Sequence, residues 1–289
     1  MISAELTLEE LKRHLGRRLL ATDIVTAAPA NLLRLTLGRP EPEFQPGDPL
    51  PPGWHALYFL PRLRHDELRP DGSPIDTGVI PPMPLPRRMF AGERLRFHRS
   101  IRIGDELRRE AELADISVKA GGTGTLAFAT VVHRIFSSEG LALEEERRTV
   151  FREKVGPGER NQAPRREEAP AHVPWRRSVA PDSILLFRFS ALTFNSHRIH
   201  YDRSWATEAE GYPGLVVHGP LTSTLLMDFA RDHHPGRAFS TYSAQARAPL
   251  FDLAPFELRG RPGADGRSCE LWAVTPEGRV AMSAQAEFA

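Results

Sequence analysis

Two neighbouring stretches decide the fold of this chain: FSALTFNSHRIHY at Phe189–Tyr201 and GLVVHGPLTSTLL at Gly214–Leu226. The first places an Asn, two His and an aromatic ring where an apolar segment gives way to a loop. The second places His-Gly-Pro at the start of an apolar helix. A histidine can exchange protons near neutral pH, and a helix N-terminus attracts negative charge. The two stretches together therefore predict a site of acid–base chemistry.

The helix that follows Gly219 is predicted from the spacing of its apolar residues. Pro220 suits the first position of a helix, because its missing N–H has no partner there. The pair Pro235-Gly236 ends the pattern. An apolar stripe recurs every four residues between these ends, at Leu221, Leu225 and Phe229.

Strand patterns flank this helix on both sides. Between Arg94 and Arg152, four segments alternate as antiparallel strands do, and Gly-rich turns separate them. Strands are also predicted for SILLFRFSALTF at Ser183–Phe194 and for four segments after Ala238. Near the N-terminus, Thr7 is a candidate cap for a helix with an apolar stripe at Leu8, Leu11, Leu15 and Leu19.

The chain is predicted to have two similar halves. A stretch rich in Pro, Gly and charge, GPGERNQAPRREEAPAHVP at 156–174, has no apolar period and is assigned as a linker. The halves are then residues 1–155 and 175–289. The segment from Pro40 to Pro86 is also dense in Pro and Gly, and is interpreted as a long excursion that either covers a ligand or wraps the surface.

Composition limits the partners of the protein. Lys and Arg number 38 against 37 Asp and Glu, a formal charge of +1, so no global field attracts nucleic acid or an anionic membrane. One cysteine, Cys269, excludes an internal disulfide and a cysteine metal cluster, which fits a reducing cytoplasm. No apolar run approaches the roughly 20 residues of a membrane span. A cytoplasmic protein with a small-molecule ligand is expected.

The segments SALTFNSHRIHYD and GYPGLVVHGPL are similar to the hydratase segment of the MaoC-like hot-dog hydratases. Within that superfamily the chain resembles the branch of mesaconyl-C4-CoA (3-methylfumaryl-CoA) hydratases, itaconyl-CoA hydratases and mitochondrial 3-hydroxyacyl-thioester dehydratases. RRMFAGERLRFHRSIRIGD at Arg87–Asp105 resembles the N-terminal half of the same branch. The resemblance implies an α+β double hot-dog fold, in which each half is a curled antiparallel sheet wrapped around a central helix.

The resemblance also implies roles for individual residues. The hydratase pattern is Gly-Asp-x-Asn-Pro-aliphatic-His, and here only Ile199 and His200 of the run from Phe194 to His200 match it. His200 inherits the catalytic imidazole, Asn195 stands in place of the catalytic Asp, and His197 stands in place of the Asn. An Asn amide can orient water but cannot exchange a proton at neutral pH.

A reaction scheme follows from these roles. His200 takes a proton from a water that Asn195 helps to position, and the water attacks the β-carbon of an enoyl thioester. The Gly219 amide stabilises the thioester oxygen. The proton returns to the α-carbon from His200 itself, with His197 or Asp202 as relays. The candidate substrate-binding residues are His197, Arg198 and His218.

Arg198 could clamp a distal carboxylate or a CoA phosphate, and His218 could shape the turn before the helix. The alternative for His197 and His200 is that they are hydrogen-bonded loop residues, and the alternative for Arg198 is that it is a solvated loop residue. No metal ligand set is predicted.

The expected activity is reversible hydration of a short enoyl-CoA, either mesaconyl-C4-CoA or itaconyl-CoA, with citramalyl-CoA as the hydrated partner. The C-terminal half supplies the catalytic segment, and the N-terminal half completes the acyl-CoA groove. No cofactor is expected apart from the coenzyme A of the substrate, and a homodimer is possible. The alternatives are a 3-hydroxyacyl-thioester dehydratase of fatty-acid type, a hot-dog thioesterase and a non-catalytic acyl-CoA binder, because one fold hosts several functions.

Overall fold

A computed structural model describes residues 8–121, 124–153 and 167–289 of the chain. Within these ranges ten strands form one antiparallel sheet in the order β1-β3-β4-β5-β2-β7-β10-β9-β8-β6. The strands are β1 Arg18–Ile24, β2 Arg87–Phe97, β3 Glu106–Gly121, β4 Gly124–Ser137, β5 Gly140–Arg152, β6 Trp175–Val179, β7 Phe239–Ala246, β8 Phe256–Pro262, β9 Ser268–Val274 and β10 Val280–Phe288.

Four α-helices accompany the sheet. They are α1 Leu8–Lys12, α2 Ala27–Thr36, α3 Ser183–Leu192 and α4 Gly219–His233. Short 3-10 turns occupy Trp54–Leu57, His65–Glu67 and Arg198–His200, and a π-helical turn occupies Trp205–Ala209. No helix among the described residues is both long enough and apolar enough to span a membrane.

The sheet is continuous across the middle of the chain. Strand β2 pairs with β7 from Gly92↔Gln245 to Arg96↔Thr241, so strands from early and late in the sequence are neighbours. Helix α4 packs against this central region. Residues of both strand sets share one buried core with α4, among them Leu95, Leu143, Leu226, Phe229, Tyr242 and Leu271. The division at residues 155 and 175 stays a prediction, and most of the linker lies outside the described residues.

The predicted strands after the linker are correct except for the first. The segment from Ser183 is helix α3, because the Asp182 side chain accepts a hydrogen bond from Leu185 N at 2.7 Å and so caps a helix start. The apolar residues of α3 lie on all sides of the helix, since Leu186 is buried whereas Phe187 is 62% exposed. The sequence therefore shows no apolar residues repeating at the helical period.

The predicted N-terminal helix is also shorter than expected. Helix α1 ends at Lys12, and Leu19 lies instead in β1, where it pairs with Ala111 of β3. Pairing with a long strand therefore overrides the helical spacing of the leucines. The capping prediction for Thr7 falls outside the described residues.

Candidate active site

The loop that carries Asn195 and His200 starts from a helix cap. At the end of α3, Asn195 N donates to Ser190 O at 2.8 Å and Phe194 N donates to Ala191 O at 3.3 Å. This is the Schellman arrangement, which needs a left-handed residue, and Phe194 supplies it with φ of 49°. A non-glycine residue in this conformation is uncommon. The backbone of Asn195 is thus fixed by the way in which α3 ends.

A turn from the N-terminal excursion holds this loop from the other side. Ser196 Oγ donates to Gly72 O at 2.7 Å, and Arg198 N donates to Asp71 O at 2.8 Å. A Cβ on Gly72 would overlap the Ser196 carbonyl oxygen, and the φ of Gly72 is +80°. Only glycine lets the two backbones approach so closely. The excursion therefore forms part of the site.

His200 is buried and has one strong hydrogen bond. Its Nδ1 lies 2.7 Å from the carbonyl oxygen of Val216. Because a carbonyl only accepts, Nδ1 carries the proton, and in the neutral ring Nε2 is then left as a proton acceptor. The ring stacks on His218 with centroids 3.7 Å apart and meets His197 edge-on at 5.6 Å. The geometry fixes both the tautomer and the orientation of a base.

The three rings are kept neutral by their surroundings. Burial, with His197 as a further cause, lowers the pKa of His200 to about 3. Burial likewise lowers the pKa of His197 to about 4, although the Asp71 carboxylate opposes the shift. The pKa of His218 lies well below its usual value for the same reason. At neutral pH, His200 is therefore a neutral base.

Asn195 and Gly219 line the same cleft as His200. The Asn195 Oδ1 accepts a hydrogen bond from His197 N at 3.1 Å. Within the described part of the chain its Nδ2 group has no acceptor, so that group can donate to a ligand. Gly219 is the first residue of α4, and its amide has no intrahelical acceptor.

His218 and Arg198 are not among the residues that line the cleft. His218 is fully buried, and its Nε2 lies 2.8 Å from Ser190 Oγ, so it supports the ring of His200. The Arg198 guanidinium pairs with Asp202 at 2.7 Å and lies 4.0 Å from the centroid of the Trp205 ring. These contacts occupy both Arg198 and Asp202. The geometry thus gives no support to a substrate clamp at Arg198, to a proton relay at Asp202 or to direct binding by His218.

His197 lies in the cleft between His200 and the excursion turn. Its Nε2 is 3.8 Å from Asp71 Oδ2, the carboxylate that reaches this loop from the N-terminal part of the chain. The other oxygen of Asp71 accepts from Ser73 N at 2.8 Å and from Ser73 Oγ at 2.6 Å. A relay role for His197 stays a prediction.

Sequence reasoning missed several residues of this site. Asp71 and Gly72 belong to the turn Pro-Asp-Gly-Ser-Pro, which predicts a tight turn but not its partner. Arg88 and Phe90 lie in β2, in a segment that resembles the family, but the resemblance predicted no role for either residue. A Cβ on Gly219 would lie 2.7 Å from Phe90 Cδ1, so Phe90 packs on the start of α4. The cleft is about 2910 Å³ in volume, and its apolar lining includes Phe90, Phe189, Tyr212, Leu250, Phe251 and Met282.

No group of three or more His, Cys, Asp or Glu side chains within residues 8–121, 124–153 and 167–289 has the geometry of a metal site. The thiol of Cys269 is buried in the core, where burial raises its pKa to about 12.

Solved structures confirm the predicted double hot-dog fold. A MaoC-like dehydratase superimposes with a TM-score of 0.73 at 16% identity, covering 96% of this chain and 99% of the other. A Mycobacterium tuberculosis protein described as having a double hot-dog fold gives a TM-score of 0.56 at 15% identity, with coverage of 95% and 96%.

Sequence comparison identifies the family of this chain as well as its fold. The model of the family described as hydroxyacyl-thioester dehydratase type 2 matches residues 53–252. The mesaconyl-C4-CoA hydratase of Chloroflexus aurantiacus is 49% identical over 275 residues, which cover 95% of this chain and 96% of that enzyme. The match spans the excursion turn, the asparagine-histidine loop and the start of α4. This chain therefore belongs to the hydroxyacyl-thioester dehydratase type 2 family and is a hydro-lyase that acts on acyl thioesters.

Proposed function

We propose that this protein catalyses the reversible hydration of mesaconyl-C4-CoA to citramalyl-CoA. The main support for this reaction type is the ring of His200. It is a neutral imidazole whose Nδ1 donates a hydrogen bond to Val216 O, so that its Nε2 can act as a base. The substrate follows from the near full-length identity of 49% with the Chloroflexus enzyme. Itaconyl-CoA is the related acyl group to compare.

In the hydration direction His200 acts first as a general base. Its Nε2 takes a proton from water, and the oxygen forms a bond to the β-carbon of the enoyl thioester as the double bond opens. The Nδ2 group of Asn195 orients that water. An amide suits this task, because it needs to donate a hydrogen bond and not to exchange a proton.

Negative charge develops on the thioester oxygen as the water adds. The Gly219 amide and the N-terminus of α4 stabilise this charge, since the donors of a first helical turn lack intrahelical partners and the dipole favours an anion. Phe90 packs against Gly219, so any side chain at position 219 would displace the helix start from the strand.

The reaction closes when the α-carbon receives a proton. Protonated His200 is the donor, because burial makes its conjugate acid unstable and returns the ring to the neutral form. The proton taken from water thus ends on the α-carbon, and the enzyme is unchanged. The scheme uses no metal or redox cofactor, and coenzyme A enters only as part of the substrate. A cytoplasmic location and a homodimer remain predictions.

The family description favours a second candidate, a 3-hydroxyacyl-thioester dehydratase of the fatty-acid type. This enzyme would use the same base and the same oxyanion donor, and it would differ only in the acyl group. Substrates with and without a second carboxylate therefore separate the two candidates.

The test follows the absorbance of the enoyl thioester with mesaconyl-C4-CoA and crotonyl-CoA, and the conversion of itaconyl-CoA, whose double bond is not conjugated with the thioester, by chromatography, each with a thiol trap in parallel. We expect loss of absorbance without free thiol, fastest with mesaconyl-C4-CoA. His200→Ala should reduce kcat by about 10³-fold or more. His98→Ala is the matched control, because His98 is exposed on a loop and is not part of the cleft lining.

Three results would contradict the proposal. Release of free thiol would identify a thioesterase, and saturable binding without turnover would identify a binding protein. An unchanged rate in His200→Ala, with circular dichroism that matches the parent, would remove His200 from the reaction.

A further inference from the structure

Arg88 of β2 contributes a cation to the cleft. Its side chain is partly buried and lines the cleft that holds His197, His200 and Gly219. Within the described part of the chain its guanidinium makes no hydrogen bond and no ion pair. Its neighbour Arg87 is the contrast, because Arg87 Nε lies 2.8 Å from Glu210 Oε2.

The surroundings of Arg88 are positive. Burial, followed by the charges of Arg147 and Arg69, lowers the pKa of Arg88 to about 10, whereas the charge of the Asp71 carboxylate acts to raise it. Asp71 forms no ion pair with Arg88, and one of its oxygens is taken by Ser73. A partly desolvated guanidinium with no counter-ion is costly, and a bound anion would relieve that cost.

Arg88 shares the cleft with the reacting groups. Its charge is among those that act on His197, whose ring centroid lies 5.6 Å from that of His200. Phe90, two residues further along β2 and therefore on the same face, packs on Gly219. Strand β2 thus contributes a cation to the cleft that holds the base, and an aromatic ring to the start of α4.

We propose that Arg88 binds the free carboxylate of the acyl group, so that the site selects CoA thioesters of short unsaturated dicarboxylic acids. The inference rests on the proposed function and names the residue that recognises its substrate. In mesaconyl-C4-CoA the free carboxylate is attached to the β-carbon, the atom that water attacks. The Arg88 cation both orients this carboxylate through paired N–H donors and offsets the negative charge that repels an incoming oxygen.

Crotonyl-CoA is the comparison substrate for the test, because it carries a methyl group where mesaconyl-C4-CoA carries the carboxylate and a hydrogen where mesaconyl-C4-CoA carries its methyl group. We expect Arg88→Met to lower kcat/KM for mesaconyl-C4-CoA by about 100-fold and for crotonyl-CoA by less than about 3-fold. Arg88→Lys keeps the charge but loses the planar fork, so it should recover about tenfold of the loss on mesaconyl-C4-CoA.

Arg87→Met is the matched control, since it removes a paired arginine from the next position of the same strand. It should change kcat/KM for both substrates by the same factor. An equal loss on both substrates in Arg88→Met would overturn the inference and would indicate a role in coenzyme A binding or in folding. Arg88→Met with full activity on mesaconyl-C4-CoA would overturn it as well.

Activity measurements on the unmodified protein distinguish a failure of this inference from a failure of the proposed function. If the parent hydrates crotonyl-CoA but not mesaconyl-C4-CoA, the proposed substrate is wrong, and with it the role of Arg88. If the parent hydrates mesaconyl-C4-CoA and the Arg88 variants show no selective loss, the proposed function stands and only the carboxylate site is wrong.

Discussion

Burial sets the protonation of His200, and three neighbours contact its ring. Val216 fixes the tautomer, His218 stacks on the ring at 3.7 Å, and His197 meets it edge-on. None of the three supplies a negative charge, so burial dominates and the ring stays neutral. An Asp at position 195 would change this balance, because an anion near the imidazole favours its protonated form.

Replacing Asn195 by Asp should therefore keep activity at neutral pH and alter its pH dependence. In the parent the pKa of His200 is about 3, so kcat/KM should stay flat from about pH 8 down to about pH 5. In Asn195→Asp the pKa of His200 rises, and the acid limb of the kcat/KM profile should move to higher pH. The backbone should be retained, since a carboxylate oxygen can accept the same bond from His197 N.

Asn195→Ala separates orientation of water from charge. It should lower kcat without moving the acid limb, because it adds no anion. A folded Asn195→Asp protein that is inactive at every pH would show that the position needs an amide, and an unmoved acid limb would place residue 195 outside the electrostatic range of His200.

The resemblance to a local hydratase motif assigned roles to His200, Asn195 and Gly219, although Asn195 replaces the catalytic Asp of that motif. For Arg198, which stands between two histidines, the sequence left a substrate clamp and a solvated loop residue open, and the fold pairs its guanidinium with Asp202 and Trp205. Arg88 has no local pattern of its own. It stands out because no described residue forms an ion pair or a hydrogen bond with its guanidinium. This can be seen only when the fold has placed distant segments together.

At the scale of elements, α4 was predictable and α3 was not. Helix α4 has a proline at its start, a proline-glycine pair after its end and one apolar stripe. Helix α3 is apolar on all sides, so its period of 3.6 residues is hidden, and the Asp182 cap is the feature that could have revealed it. The docking of the excursion turn on the catalytic loop is a contact between residues more than 120 positions apart, and no local propensity encodes it.

The excursion turn should matter for catalysis, and two glycines allow a matched test. Gly72 and Gly78 both have φ of +80°, so alanine costs about 1 kcal/mol of backbone strain at either position. At Gly78 the added Cβ would lie 3.4 Å from Leu19 Cδ2, an ordinary contact, whereas at Gly72 it would overlap the Ser196 carbonyl oxygen. Gly72→Ala should push the catalytic loop away from the turn.

We expect Gly72→Ala to lower kcat/KM by about tenfold or more beyond the effect of Gly78→Ala, because small displacements of catalytic groups are costly. Steady-state kinetics give the activities, and thermal unfolding of both variants gives the shared cost of strain. Equal kinetic losses in the two variants would show that the turn has no catalytic role.

At the scale of the whole molecule, a buried polar network joins segments from across the chain. Arg147 Nε donates to Glu145 Oε1 at 2.6 Å, and Arg147 Nη2 lies 3.5 Å from Glu93 Oε2. Ser223 of α4 donates to Glu93 Oε1 at 2.5 Å and lies 3.0 Å from the Tyr242 hydroxyl. The network therefore ties β5 and β2 to α4 and β7, the elements that enclose the shared core.

Arg147 is the cation of this network. Burial by itself would raise the pKa of the Glu145 carboxyl, but Arg147 and His55 hold that pKa well below its usual range. Burial and the adjacent Glu145 charge raise the pKa of Glu93, although Arg147 opposes the shift. Without Arg147, the two buried carboxyls of Glu93 and Glu145 would lose the guanidinium that both of them contact.

Arg147→Met should lower the free energy of unfolding by about 3–5 kcal/mol, because it leaves buried charge uncompensated. Arg148→Met is the control, since Arg148 is half-exposed, its side chain lies 3.6 Å from Glu146, and a surface pair contributes about 0–1 kcal/mol.

Since the network and the core extend across both strand sets, unfolding should remain one transition, with coincident midpoints by tryptophan fluorescence and far-ultraviolet circular dichroism. Two separated transitions in Arg147→Met would contradict this cooperativity, and equal losses in the two variants would show that the network adds nothing beyond a surface ion pair.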